Sequence, residues 1–163
     1  MSGLTEIQHD VARFMLAAGQ VIREHPTNLT PEEYKLRISL ITEEFDETIA
    51  ALIDLGDPPI GPDRRTLFMS FVADGVVDLI YVLVGTTLAM GIDLIPVWDE
   101  VQRANMAKMS GPVRDDGKRL KPDGWKPPDV LGIIREQQQE GRFVRPIAVG
   151  QVPLDAVRGW NCP

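Results

Sequence analysis

The chain has 163 residues, of which 44% are apolar and 25% charged, the size and balance of one globular domain with a full core and little room for a second. Its formal charge of −7 lacks the basic footprint of a nucleic-acid binder, and its single cysteine, Cys162, excludes an internal disulfide framework and a cysteine-rich zinc site; a cytoplasmic setting is expected. The charge is uneven, with 6 Lys/Arg against 17 Asp/Glu in residues 1–102 and 7 against 3 in residues 103–126.

The first ten residues have neither a basic start nor an apolar stretch, so no secretion signal is expected. Leu4, Ile7, Val11, Phe14, Met15, Ala18, Val21 and Ile22 recur at helical spacing and predict a first helix over about residues 4–24. After the break at His25 to Leu29, Thr30 as N-cap, Pro31 in the first turn and Glu33 closing a capping box predict a second helix to about Leu55. Three prolines and two glycines in residues 56–62 predict a loop. A third helix is expected from about Asp63 to Met90, with Gly91 as its terminating glycine. From Val76 to Leu83 it is apolar almost all round, which one small bundle can hardly cover, so an obligate oligomer is expected. The apolar region Val76 to Met90 is interrupted by Asp78 and falls short of the roughly 20 residues of a membrane span. A soluble protein without membrane contact is expected. A fourth helix follows over about residues 94–109, with Asp93 as N-cap, and then a loop over residues 110–129 holding three glycines and four prolines. A short helix near residues 129–140 and a final arm or tail complete an all-α bundle of four to five helices. The Gln137 to Gln139 run is too short to carry a compositional signal.

The most informative segment contains Glu43, Glu44 and Glu47. At about 100° per residue Glu44 and Glu47 lie about 60° apart and Glu43 and Glu47 about 40° apart, so three carboxylates share one helix face. A solvated acidic face is the plain alternative. The flanking Leu40, Ile41, Ile49, Leu52 and Ile53 instead predict a core-facing helix, and no Lys or Arg occurs between residues 38 and 63 to offset the charge. Asp74 and Asp78 stand one turn apart on the apolar third helix, where carboxylates without basic neighbours are rare unless they are protonated, hydrogen-bonded or bound to metal. An all-oxygen set suits Mg²⁺ or Mn²⁺. Zinc would call for His or Cys, and the two histidines, His9 and His25, read as ordinary surface residues.

These segments, with Gly85-Thr86, Gly91-Ile92-Asp93, Glu100-Val101, Asn105 to Lys108, Asp116-Gly117-Lys118 and Lys121 to Trp125, resemble the MazG-like all-α nucleoside triphosphate pyrophosphohydrolases, in the branch related to phosphoribosyl-ATP pyrophosphohydrolase. The resemblance covers about residues 10–130, which sets a catalytic domain at 1–130 and a C-terminal extension at 131–163. It implies a homodimer or homotetramer that cleaves a nucleoside triphosphate between its α and β phosphates. Glu43, Glu44, Glu47 and Asp78 match the family's acidic signature. Its remaining acid falls at Gly75, so Asp74 is expected to reach the metal in its place, and position 75 is the first to restore to Glu should the chain prove inactive. The implied assignment has Glu44, Glu47, Asp78 and Asp74 holding two or more Mg²⁺ or Mn²⁺ ions and Glu43 directing the attacking water. Asn105, Lys108, Lys118 and Lys121 are expected on the substrate, and Trp125 either closes over the nucleotide or pins its loop. Phosphoribosyl-ATP hydrolysis and an inactive helical regulatory dimer are the alternatives. Base specificity is open, with dGTP, GTP and dUTP as first trials.

Overall fold

A computed structural model describes residues 3–56 and 61–140. The middle of the predicted Pro-rich loop and the final arm with Cys162 lie outside the described residues. Among the described residues there are five α-helices: α1 (Gly3–Ala17), α2 (Pro31–Gly56), α3 (Pro62–Met90), α4 (Leu94–Ala107), which runs into a 3-10 turn at Lys108–Ser110, and α5 (Val130–Glu140). Among the described residues there is no strand, and one isolated bridge joins Val113 to Arg119. The all-α class and the helix count follow the sequence.

The helix ends follow local chemistry. Glu33 N donates to Thr30 Oγ1 at 3.2 Å and Thr30 N donates to Glu33 Oε2 at 2.7 Å, the reciprocal capping box at the start of α2. Arg23 also donates to that carboxylate at 2.7 Å and holds it below its ordinary range. Gly91 ends α3 with φ 75°, its amide donating to Leu88 O and the Ile92 amide to Thr87 O. A Cβ there would lie 2.2 Å from His25 O, so only glycine fits. Asp93 Oδ1 accepts from Ile95 N at 3.0 Å and caps α4.

The first helix is shorter than its periodicity predicts, ending at Ala17 instead of near residue 24. Gly19, at φ 69°, turns the chain left-handed, and the Gly19 and Gln20 amides donate back to Leu16 O and Met15 O. The following segment runs beside the end of α3, with Arg23 N donating to Leu88 O and Thr27 N to Met90 O. Tertiary hydrogen bonds therefore replace helical ones, and Val21 is left 58% exposed despite its helical spacing.

The core is small. Val11, Ala12 and Met15 of α1 pack with Leu29 and with Val84, Leu88 and Ala89 of α3. Gln137 of α5 is buried and bridges the start of α4, accepting from Asp93 N and donating to Asp93 O, each at 3.0 Å. The buried Gln8 of α1 donates to Asp93 Oδ1 and accepts from Leu94 N, also at 3.0 Å. Two buried glutamines thus sew α1, α4 and α5 together, with no buried side-chain N or O left unpaired among the described residues.

The outer half of the α2–α3 hairpin has no such cover. Ile49, Leu52 and Ile53, expected to face a core, are exposed in the protomer, as are Phe45, Phe71, Val76, Val77 and Leu83. Among the described residues, the fully buried positions of α3 are Val84, Gly85, Leu88 and Ala89, near its C-terminal end, while farther back α2 packs against one side of it and leaves the other open. By length and composition α3 can also cross a membrane, with an 18-residue window of mean hydropathy 2.0 that is 6% buried. The stretch from Val76 alone is too short to span, and the residues from Pro62 onward supply the added length. Asp74 and Asp78 lie in mid-helix, and acids at such depth are costly in a bilayer.

Candidate active site

The register of the α2–α3 hairpin builds the acidic centre. Gly75 sits where α3 crosses Thr48 of α2: a Cβ at position 75 would lie 2.8 Å from Thr48 Oγ1 and 3.2 Å from Thr48 Cα. With Thr48 opposite Gly75, the antiparallel pairing brings the Glu44 turn opposite Asp78. Burial raises the Glu44 carboxyl above its ordinary value, and the charges of Asp78, Glu47, Glu43 and Asp74 raise it further. The structure thus brings the other four predicted acids around Glu44. Burial differs from expectation, since Asp74 and Asp78 are exposed and Glu44 is the half-buried member. The reason is the open flank of α3, which no other element among the described residues covers.

Position 75 has little room for the glutamate that would complete the acidic pattern. Position 75 points at the backbone and hydroxyl of Thr48, which is itself buried and donates to Glu44 O at 2.7 Å. Its glycine is a packing residue of the helix crossing.

Glu44 and Asp78 line a cavity of about 400 Å³ between α1, α2 and α3. Phe14, Leu40 and Tyr81 supply much of its apolar wall, the two rings meeting edge-to-face at 5.7 Å between centroids. Arg37 and Gln20 also line it, with Arg37 Nη2 donating to Gln20 Oε1 at 2.9 Å. Residue type and spacing alone mark neither as functional. The available signal was position: Arg37 precedes Glu44 by two helical turns on the same face.

The acids fit a hard cation by chemistry, being carboxylates throughout. Among the described residues no three His, Cys, Asp or Glu side chains converge into a preformed metal cage. His9 lines a separate surface hollow with Glu6, Asp10 and Arg13, and His25 is exposed.

A second cluster forms at the end of α4. Lys108 Nζ donates to Asn105 Oδ1 at 2.8 Å, and Lys108 Nζ and Lys121 Nζ lie 5.5 and 4.3 Å from the Trp125 ring centroid. Trp125 Nε1 donates to Ala104 O at 2.8 Å, which pins the loop to the helix. Gly111 permits the loop's return, since a Cβ there would lie 2.0 Å from Leu120 O. Lys118 stands apart in a tight turn, its amide donating to Asp116 Oδ1 and its carbonyl accepting from Arg114 N. No residue of this second cluster lines the cavity that Glu44 and Asp78 share.

A family model described as phosphoribosyl-ATP pyrophosphohydrolase matches residues 11–105. No curated protein matches the chain. The matched span begins at the first buried residue of the α1 core, takes in both acidic helices and ends at Asn105, so Lys108, Lys118, Lys121 and Trp125 lie beyond it. Covering more than half of the chain and the whole acidic centre, this match shows that the protein belongs to the phosphoribosyl-ATP pyrophosphohydrolase family, a MazG-like, all-helical family of hydrolases that act on phosphoric anhydrides.

Proposed function

We propose that the protein is a cytoplasmic, divalent-cation-dependent nucleoside triphosphate pyrophosphohydrolase that releases a nucleoside monophosphate and pyrophosphate. The observation that carries this reading is the crowding of four acids around the half-buried Glu44, at the edge of an apolar cavity of about 400 Å³. Such crowding opposes folding unless a cation joins it. Glu44, Glu47, Asp78 and Asp74 would hold Mg²⁺ or Mn²⁺, two or more ions, which supply charge neutralisation for the phosphates and for the departing pyrophosphate. Glu43 accepts the proton of the attacking water at its carboxylate. The apolar cavity takes the nucleoside and keeps bulk water from it.

A second reading, hydrolysis of phosphoribosyl-ATP itself, is favoured by the description of the matching family model. A pyrophosphate-release assay over ribo- and deoxyribonucleoside triphosphates and phosphoribosyl-ATP, with Mg²⁺, Mn²⁺ or chelator, separates the two. Metal-dependent pyrophosphate from a triphosphate is the expected result. Release from phosphoribosyl-ATP alone would replace the first reading with the second, and orthophosphate as product would remove both.

The exposed apolar flank of α2 and α3 supports a homodimer or homotetramer. The Asn105, Lys108, Lys121 and Trp125 cluster lies outside its own protomer's cavity, so in this reading a second copy carries it over the phosphates. Subunit mixing tests both points. Lys108→Ala is expected to raise KM by about tenfold through lost phosphate contact, and Glu47→Gln to be inactive. Refolded together, the two variants regain some low-KM sites, because one mixed site draws its acids and its lysine from unaltered segments. Absence of any low-KM activity in the mixture would place the lysine in its own protomer's site.

A further inference from the structure

Arg37 is the least expected group in the cavity. It is 7% exposed, and among the described residues it forms no ion pair. Its hydrogen bond goes to the neutral Gln20 Oε1. Glu33, the acid whose charge it feels, is hydrogen-bonded to Arg23. Its remaining N–H groups border the cavity and can donate to a ligand that supplies acceptors. Gly85 of α3 packs beside the guanidinium, where an added Cβ would stand 3.4 Å from Arg37 Nη1.

Position along α2 says which part of a nucleotide arrives there. Arg37 and Glu44 are separated by seven residues, roughly 10 Å along the helix axis. The phosphates belong at the acidic end, where cations can bind them, so the base falls at the Arg37 end, beside the Phe14 and Tyr81 rings. With one Nη2 hydrogen engaged by Gln20, the guanidinium still offers several N–H groups in a planar fork. A fork of donors is met best by two adjacent acceptors. Guanine presents them as N7 and O6, and cytosine as N3 and O2. Adenine places an amino donor beside N7, and in uracil and thymine the N3–H donor separates the two carbonyls.

We propose that Arg37, oriented by Gln20, reads the base in this cavity and selects nucleotides of guanine or cytosine over those of adenine, uracil and thymine. This rests on the nucleotide reading given above and goes beyond it in naming the class of base and the residue that chooses it. Gln20 acts as a positioning residue.

The test is calorimetric binding of non-hydrolysable α,β-imido deoxynucleoside triphosphates to the full chain with Mn²⁺, in parallel with pyrophosphate release from the natural set. Guanine or cytosine analogues are expected to bind about tenfold or more tightly than adenine and uracil analogues. A 7-deaza guanine or 3-deaza cytosine analogue, each lacking one acceptor, identifies which of the two bases is read by losing that advantage. Arg37→Lys keeps the charge and removes the fork, and should compress the preference to within about threefold while leaving circular dichroism unchanged. Arg37→Met, with Gln20→Leu to spare the unpaired amide, checks the same point without the charge. An equal affinity for all bases would overturn the proposal, as would a preference that survives Arg37→Lys, the result expected if Arg37 gripped a phosphate. Hydrolysis without base preference would sink the base-reading proposal and spare the hydrolase. An Arg37-dependent preference without hydrolysis would do the reverse.

Discussion

Glu47→Gln is expected to lower pyrophosphate release by about a hundredfold or more while the helical circular dichroism signal is retained. Glutamine has nearly the same shape as glutamate and lacks its charge, so the substitution separates the electrostatic role of position 47 from its packing. Glu47 is exposed and its charge is one of four that raise the Glu44 carboxyl. Two readouts therefore move in opposite directions. Cation binding weakens, seen as a smaller Mn²⁺-induced rise in Tm. The metal-free protein becomes more stable near neutral pH, because one source of repulsion has gone. The sign follows from proton linkage. A carboxyl raised above its ordinary value of 4.5 binds more protons in the folded state, so its contribution is present below that value and is lost as pH rises through the folded titration range. Lowering the folded value toward the ordinary one shrinks that loss. Unchanged turnover in Glu47→Gln would remove position 47 from the metal set, and an unchanged metal-free Tm would show that its charge does not reach Glu44.

Much of the frame was legible because it rests on local rules. Thr30 with Glu33, Asp93 and Gly91 each mark a helix end through a hydrogen bond or a positive φ within a few residues, and all four act as their types predict. The acidic centre was legible for a similar reason, since i, i+3 and i, i+4 spacing decides which carboxylates share a face. What escaped depends on contacts distant in sequence. The end of α1 is decided by Leu88 O and Met90 O, which draw the following segment away from the helix. Gln137 looked like part of a featureless run, yet it satisfies both backbone groups of Asp93, 44 residues away. Arg37 is the functional counterpart of these cases. A charged residue on an amphipathic helix reads as solvated until α1 is seen to close over it. The exposed Ile49, Leu52 and Ile53 show the opposite error, for helical periodicity reports that a face is to be covered without saying whether the same chain covers it.

Gly75→Glu, which would give the chain the acid that the resembling sequences carry at this place, is expected to destabilise the fold and to add no activity. The new Cβ would stand 2.8 Å from Thr48 Oγ1 and 3.2 Å from Thr48 Cα, and the second of these is backbone that cannot rotate away. Overpacking of this kind costs about 1–3 kcal/mol, and a buried, hydrogen-bonded neighbour places it near the upper end. Replacing a mid-helix glycine returns about 1 kcal/mol of helix propensity. The net loss of about 2 kcal/mol corresponds to a fall in Tm of about 4–8 °C for a chain of this size. To the packing cost the glutamate adds a sixth carboxylate to the cluster of Glu44 and the four acids around it. The cause can be isolated with Gly75→Ala, which introduces the clash without the charge, and with Gly75→Ala combined with Thr48→Ala, which removes the nearer of the two contacts. Partial recovery of Tm in the double variant is the expected result, and a coupling energy near zero would mean that the helices part freely at this crossing. Were Gly75→Glu instead as stable as the parent and more active, α3 would have to be rotated from the register that sets Gly75 against Thr48. The assignment of Asp74 as the acid that takes the place of a residue at 75 would fall with it.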